Sequence, residues 1–230
     1  MNISISTNEL KEYTRNQMRY FFPDQYDFKG KDVDIAFELA LERTEECFKV
    51  ISHPGYHNEK GEITFSHLHG DQYASFIYFL SNSLWKTSQN KPLCDKLLQL
   101  NRLLFTIFIS YKNNLCDHFL LGHAYGTILG NAKYDDYLVV SQGVTVNSST
   151  DNMGNWAPVI GKGVFLGAHA KIIGNKNIGD RVSIGVNAMV YNQEVPNDFV
   201  VMNIDGKNVI KQRGKEICFA QKYFNVDLRE

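Results

Sequence analysis

The chain has 230 residues, of which 43% are hydrophobic, so it is long enough for one large or two small domains with a substantial core. Its 24 Lys and Arg residues nearly balance 25 Asp and Glu residues, so no overall field would recruit nucleic acid or an anionic membrane. Four scattered cysteines without C-x-x-C spacing argue against a zinc site and a disulfide framework, and indicate reduced, buried thiols. The N-terminus has no signal-peptide pattern, and the longest apolar run, residues 103–110, is too short to span a bilayer. We therefore expect a cytoplasmic protein without a membrane span.

The first half of the chain has helical periodicity. Apolar residues three or four apart predict one helix within residues 33–51, a second within 73–85 and a third within about 93–111. Residues 52–70 contain Pro54 and glycines at 55, 61 and 70, which favours a loop or short irregular structure. We therefore predict an α-helical N-terminal domain over residues 1–114.

A polar and aromatic segment precedes the second predicted helix. It contains His67, His69, Asp71 and Tyr73. The segment could cover a substrate site or cap the helix, and capping is favoured. Asp71 and Tyr73 are kept as candidate substrate-binding residues.

The second half has a period of six, which neither a helix nor an alternating strand produces. The repeat runs through Ile160, Leu166, Ile172, Ile178, Ile184 and Val190. Counting backwards, Val146, Val140, Tyr134 and Ile128 continue the repeat, with one inserted loop of eight residues before Ile160. Such a repeat predicts a solenoid with three short strands per coil, aliphatic residues inside a triangular prism, and Gly or small polar residues at its corners. We assign this β-helix to residues 115–205 and a C-terminal tail to residues 206–230.

The motifs of this half resemble those of a known family. Gly122-His-Ala-Tyr-Gly-Thr-Ile-Leu-Gly-Asn-Ala132 is similar to the His-Ala-x-Gly catalytic segment of the hexapeptide-repeat acyltransferases of the serine acetyltransferase type. Ser141-Gln-Gly-Val-Thr-Val146 is similar to the next coil, and residues 157–175 match the segment after the loop. The resemblance covers residues 115–202. For the helical half, only the general plan is similar.

The resemblance implies a left-handed parallel β-helix and a homotrimer that binds acetyl-CoA, without a metal, in the groove between neighbouring subunits. It identifies His123 as the general base that deprotonates the acceptor hydroxyl. Imidazole is the side chain best suited to this work at neutral pH. No Ser or Cys stands in a nucleophile-elbow motif, which favours direct transfer over a covalent acyl-enzyme. We expect no catalytic role for two other histidines: His118 is predicted to be a surface residue, and His169 at most a neighbour of the CoA groove.

The donor site is predicted from small corner residues and from lysines. Small residues let a ligand approach the backbone closely, and lysines can meet phosphates. The candidates are Gly143, Gly167, Ala168 and Gly185 for the pantetheine arm, and Lys162, Lys171 and Lys211 for the phosphates.

The chain departs from serine acetyltransferases at the acceptor site. In that family an Asp precedes the catalytic histidine and an Arg-His-Pro follows the loop, whereas this chain has Gly122 and Trp156-Ala157-Pro158. A carboxylate acceptor favours a guanidinium partner, and none stands here. Trp156 offers a flat face on which a sugar could rest, and its backbone N–H is the candidate donor for the oxyanion. Trp156 could also contact the donor, or merely anchor the loop of residues 147–155. Tyr125 is a further substrate-binding candidate.

A histidine paired with a nearby tryptophan resembles the capsule and lipopolysaccharide O-acetyltransferases of the same superfamily. This resemblance and the departures lead us to expect a carbohydrate O-acetyltransferase of capsule or lipopolysaccharide biosynthesis. Alternatives are a serine O-acetyltransferase of cysteine biosynthesis, an N-acetyltransferase acting on a nucleotide-linked amino sugar, and a catalytically silent scaffold. His123 and Trp156 fall on different corners of one β-helix. We therefore expect them to meet between subunits.

Overall fold

The computed structural model describes residues 1–146, 149–150 and 156–229, with only the backbone described at 149–150 and 156–157. The chain divides into two compact units. The first contains Met1–Lys49 and Pro54–Lys112, and the second contains Val50–His53 and Asn113–Glu230. The division lies two residues before the predicted boundary.

The first unit is helical, as expected. Its elements are β1 (Asn2–Ile3), α1 (Thr7–Phe21), α2 (Lys31–Lys49), a 3-10 turn (Pro54–Tyr56), β2 (Thr64–Phe65), α3 (Gly70–Ser88), α4 (Lys91–Phe105) and β3 (Phe108–Ile109). Three helices correspond to the predicted ones, and the third ends earlier than predicted because Thr106 adopts a left-handed conformation, with φ of 55°. None of the helices within the described ranges is long and apolar enough to cross a membrane.

Helix α1 is not predicted by the periodicity. It buries only Leu10, Thr14 and Met18, so its apolar stripe is too narrow to recognise. Its start does carry a local signal, because Ser6 and Glu9 form a capping box in which the Ser6 N–H donates to the Glu9 carboxylate over 2.8 Å.

The second unit is the predicted parallel β-helix. Its strands are β4 (Phe119–Gly122), β5 (Ile128–Leu129), β6 (Lys133–Tyr134), β7 (Leu138–Ser141), β8 (Thr145–Val146), β9 (Ser149–Thr150), β10 (Trp156–Ala157), β11 (Val159–Ile160), β12 (Phe165–Leu166), β13 (Lys171–Ile173), β14 (Ser183–Ile184), β15 (Met189–Tyr191), β16 (Phe199–Ile204) and β17 (Lys207–Gln212). The first face contains β4, β7, β12, β14 and β16, the second contains β5, β8, β13 and β15, and the third contains β6 and β11, all paired in parallel. Strand β17 closes the helix as an antiparallel hairpin with β16. This topology confirms the predicted parallel β-helix.

The aliphatic ladder fills the prism. The inward residues are Leu121, Val140, Leu166, Ile184 and Val201 on the first face, Leu129, Val146, Ile172 and Val190 on the second, and Tyr134, Ile160, Ile178 and Val195 on the third, none more than 4% exposed. The six-residue count is wrong only at its start. Ile128 is 46% exposed, and Leu129 is fully buried and pairs with Val146. Leu129 and Tyr134 are five residues apart, not six. Counting back six residues from Tyr134 therefore selects Ile128, whose side chain lies on the opposite side of the strand from that of Leu129.

The three edges of the prism are built from left-handed residues. The first edge, where the first and second faces meet, carries Gly126, Gly143, His169 and Asn187 in successive coils, with φ between 56° and 71°. Hydrogen bonds of 2.8–2.9 Å from the N–H groups of Gly143, His169 and Asn187 to carbonyls of the preceding coil hold this column together. The second edge carries Tyr137, Gly163, Arg181 and Asp198, and the third carries Gly174 and Asn192.

The C-terminal segment packs within the second unit, against residues of the β-helix, although no pattern in the sequence predicts this packing. The Phe219 ring lies 4.4 Å from that of Phe165, between ring centroids, and Phe224 lies 5.3 Å from Tyr137. Phe224 also forms an antiparallel bridge with Ile51. Aromatic contacts, which no periodicity predicts, therefore fix this segment.

All four cysteine side chains are buried, as predicted.

Candidate active site

His123 begins the first edge. It follows β4 and has φ of 52°, and the N–H of Tyr125 donates to its carbonyl over 2.8 Å. The next side chain, Ala124, is fully buried in the prism, whereas His123 is exposed. The turn therefore presents the imidazole on the outside of the first coil.

Tyr125 lies on the same turn. Its side chain is 48% exposed, and its carbonyl accepts the hydrogen bond from Gly143 that joins the first two coils. The two predicted residues of this turn, His123 and Tyr125, therefore share one edge.

A second imidazole lies further along this edge. The ring of His169 covers Gly143 so closely that a Cβ placed on Gly143 would be 2.2 Å from Nδ1. This contact gives a steric reason for glycine at position 143.

The other predicted small residues are also explained by packing between coils. A Cβ on Gly167 would lie 3.1 Å from the backbone of Gly185, and one on Gly185 would lie 3.2 Å from the carbonyl oxygen of Val201. Ala168 is half-buried beside the edge, where its carbonyl accepts from Asn187. Their contact with CoA stays a prediction.

The candidate lysines are spread over the second unit. Lys171, on β13, lies beside the first edge, with Nζ 3.4 Å from the carbonyl oxygen of His169. Lys211 is exposed on β17, and Lys162 lies at the second edge, with Nζ 5.6 Å from the centroid of the Tyr137 ring. Of the three, Lys171 is therefore the one beside the His123 edge, and the binding of phosphate by any of them stays a prediction.

The side chain of Trp156 lies outside the described part of the chain. Its backbone pairs with Thr150 in an antiparallel strand pair, β10 with β9, that leads into β11 on the third face. His123 instead ends a strand of the first face. The backbone thus places the two residues at different edges, in agreement with the sequence, and the roles of Trp156 stay predictions.

Asp71 and Tyr73 lie on α3 of the first unit. His69 caps this helix by accepting from the Gln72 N–H over 3.4 Å, which confirms the capping interpretation. Tyr73 is 1% exposed, donates to Gln17 over 2.7 Å and lies 3.0 Å from the Thr14 hydroxyl; burial raises its pKa above the ordinary value. Asp71 is 7% exposed. Nothing in these contacts supports a substrate-binding role, which stays a prediction.

The sequence did not predict the surroundings of His118, at the second edge. Its Nδ1 lies 3.3 Å from the Asp136 carboxylate, and Tyr137 stacks on its ring with centroids 5.3 Å apart. The hydrogen bond with His118 lowers the pKa of Asp136, and burial raises the pKa of Tyr137. Since the pair Asp136-Tyr137 follows His118 by one coil, the repeat length was the signal that could have found it.

Within the described ranges, no group of three His, Cys, Asp or Glu side chains is placed to hold a metal ion.

Comparison with known proteins finds serine acetyltransferases. One from Synechococcus elongatus is 33% identical over 129 residues, which cover 55% of this chain and 52% of that relative's length. Another, from Staphylococcus xylosus, is 29% identical over 81% of this chain and 78% of its own length. No family model matches the chain.

Solved serine acetyltransferases share the fold. The Neisseria gonorrhoeae enzyme superposes with a TM-score of 0.62 at 22% identity, covering 84% of this chain and 75% of its own. A serine acetyltransferase in complex with CoA superposes with a TM-score of 0.58 at 20% identity, covering 88% of this chain and 95% of its own. The relatives and structures together support the prediction of a hexapeptide-repeat acyltransferase.

The prediction of a carbohydrate acceptor is wrong. The relatives named above are serine acetyltransferases, and none of these comparisons supports a sugar substrate or polysaccharide biosynthesis. The error came from treating the loss of charged groups at Gly122, Trp156 and Ala157 as evidence for a different acceptor. Their loss indicates only that these three positions do not hold the charges of serine.

Proposed function

We propose that this hexapeptide-repeat acyltransferase is an acetyl-CoA-dependent serine O-acetyltransferase with His123 as its general base. The observation that carries the proposal is the exposed imidazole of His123 on the first edge of a fold shared with serine acetyltransferases. The relatives from Synechococcus elongatus and Staphylococcus xylosus support the choice of serine. A cytoplasmic location belongs to the same proposal, because acetyl-CoA is a cytoplasmic metabolite.

The reaction needs one base and one acid. The His123 imidazole takes the proton of the serine hydroxyl as the oxygen attacks the thioester carbonyl. The resulting tetrahedral oxyanion collapses, the C–S bond breaks, and the CoA sulfur leaves with the proton that the imidazolium returns. O-acetylserine and CoA are the products, without a covalent enzyme intermediate.

The oxyanion requires a hydrogen-bond donor placed where the negative charge develops. We propose the backbone N–H of Trp156, contributed by a neighbouring subunit because the backbone places Trp156 and His123 at different edges of one chain. The indole would also exclude water from the thioester. The charges of serine must then be met by groups other than Gly122, Trp156 and Ala157.

The acceptor is tested directly. Release of CoA thiol from acetyl-CoA should depend on L-serine, with serinamide, which lacks the carboxylate, and glucose as control acceptors. We expect saturable turnover with serine, weaker turnover with serinamide and none with glucose. Turnover that is equal with and without serine would contradict the proposal.

Exposed apolar side chains on the β-helix support the proposed trimer. The first edge and the second face carry five exposed apolar side chains: Tyr125 (48%), Ile128 (46%), Val186 (59%), Met189 (43%) and Tyr191 (69%). These side chains form two groups, on the first and the fourth coil, because Thr145 and Lys171 lie between Ile128 and Met189 in one column of the second face. The group on the first coil borders His123, as a site shared between subunits requires, and exposed apolar groups of this kind support an interaction surface.

Sedimentation equilibrium should give three times the chain mass of 26.3 kDa. Met189→Asp should shift the protein towards monomer, because it places a charge in the apolar group of the fourth coil, and serine-dependent turnover should fall with it. Ile217→Asp, at a more exposed apolar position in the C-terminal segment (58% against 43% for Met189), should leave the trimer intact. A fully active wild-type monomer at all concentrations would overturn the intersubunit site.

A further inference from the structure

We propose that His169 is a donor-binding residue, whose imidazole hydrogen-bonds the pantetheine arm of acetyl-CoA where the arm crosses the third coil. The inference rests on the proposed function, because it takes the thioester to lie beside His123. It assigns His169 to the arm of a pantetheine thioester rather than to the acceptor.

The first argument is position. His123 lies on the first coil, Gly143 on the second and His169 on the third, along one edge. Neighbouring strands are about 4.8 Å apart, so the backbones of the two histidines are separated by roughly 10 Å along the edge. The His169 ring lies over Gly143, on the side of the third coil that faces His123. Strand β4 is the N-terminal strand of the first face, so the strands of that face continue from His123 towards His169. A pantetheine arm that follows the edge from a thioester at His123 therefore passes His169.

The second argument is the orientation of the ring. The Nδ1–Cε1 side of the imidazole faces the Cα of Gly143, so the side that carries Nε2 points away from it. The ring is exposed, and neither nitrogen has a hydrogen-bond partner among the described residues. Nε2 can donate or accept, depending on the tautomer, and the pantetheine amides offer both an N–H and a carbonyl.

The third argument is the backbone. His169 has φ of 59°, which glycine adopts without steric cost and histidine does not. Glycine does occupy the same column in the two preceding coils, at Gly126 and Gly143. The turn itself therefore does not require histidine at position 169.

The test removes the ring while keeping the turn. His169→Gly suits the left-handed backbone, so the fold should be retained. Calorimetry should show that the Kd for CoA rises about tenfold, because one hydrogen bond to the ligand is lost. The KM for acetyl-CoA should rise by a similar factor, while kcat and the KM for serine stay within about twofold. Asn192→Gly, a matched substitution at an exposed left-handed residue of the third edge, should leave CoA affinity unchanged.

Two further measurements locate the contact. Adenosine 3′,5′-bisphosphate, which lacks the arm, should bind wild type and His169→Gly equally. His169→Asn, which tolerates the left-handed backbone and carries an amide, should recover part of the CoA affinity.

The outcomes separate this inference from the proposed function. A wild type that binds CoA while His169→Gly binds it equally well overturns the role of His169 and leaves the acetyltransferase proposal intact. Equal weakening of CoA and the bisphosphate also overturns it, because the contact would then lie outside the arm. A wild type that does not bind CoA overturns the proposed function and this inference together.

Discussion

Replacing His123 by glycine should lower kcat of the serine-dependent reaction by about 10²–10⁴-fold, the contribution of a positioned general base. Glycine fits the left-handed φ of 52° at this position, so the variant should fold as the wild type does. Initial rates of CoA thiol release, measured at varied serine and acetyl-CoA concentrations, give kcat and the KM for each substrate. The KM for acetyl-CoA should change little, because the base acts on the acceptor hydroxyl.

The control is to show that the lost rate reflects lost proton transfer. Calorimetric CoA affinity of His123→Gly should match wild type, and added imidazole should restore part of the turnover by replacing the missing base. Asn192→Gly, the same backbone change at the third edge, should keep the wild-type rate. Full activity in His123→Gly would eliminate His123 as the base while leaving the fold assignment untouched.

The β-helix could be predicted because its core imposes a strict spacing on the sequence. Each coil contributes one inward residue per face, so residues such as Ile160 and Ile178 recur at a multiple of six. Helix α1 could not be found this way, because three buried residues do not make a periodic stripe. The C-terminal segment was missed for a similar reason, since contacts such as Phe219 with Phe165 join residues far apart in sequence.

The part of the candidate site that could be predicted is the position of His123 at a turn of the β-helix. The sequence placed His123 at a corner, and the structure presents its ring on the outside of that corner. What the sequence could not give is the contact between coils: that the His169 ring covers Gly143, or that Gly167 is constrained by the backbone of Gly185. Such contacts depend on register between coils, which differ in length, as the error of the six-residue count at Ile128 illustrates.

The one-residue difference between the six-residue count and the structure in the first coil leads to a prediction about stability. Leu129→Ala should cost about 2–5 kcal/mol of unfolding free energy, because it removes a fully buried side chain from the first coil and leaves a cavity beside Val146. Ile128→Ala is the matched control, since the six-residue count selects Ile128 for the core whereas the structure leaves it 46% exposed. Both variants are compared in the Met189→Asp background, where the proposed trimer is dissociated and Ile128 stays exposed, and the cost of Ile128→Ala should then stay below about 1 kcal/mol.

Urea unfolding followed by circular dichroism, with both variants at one protein concentration, measures the difference. In a stacked solenoid each coil contacts only its neighbours, so Leu129→Ala should also speed hydrogen exchange in the first two coils more than in the fourth. His123 lies on that first coil, and a loosened coil should lower turnover as well. A larger loss of stability in Ile128→Ala than in Leu129→Ala would mean that Ile128, not Leu129, is the inward residue of the first coil. The position of His123 at the first edge would then be wrong as well.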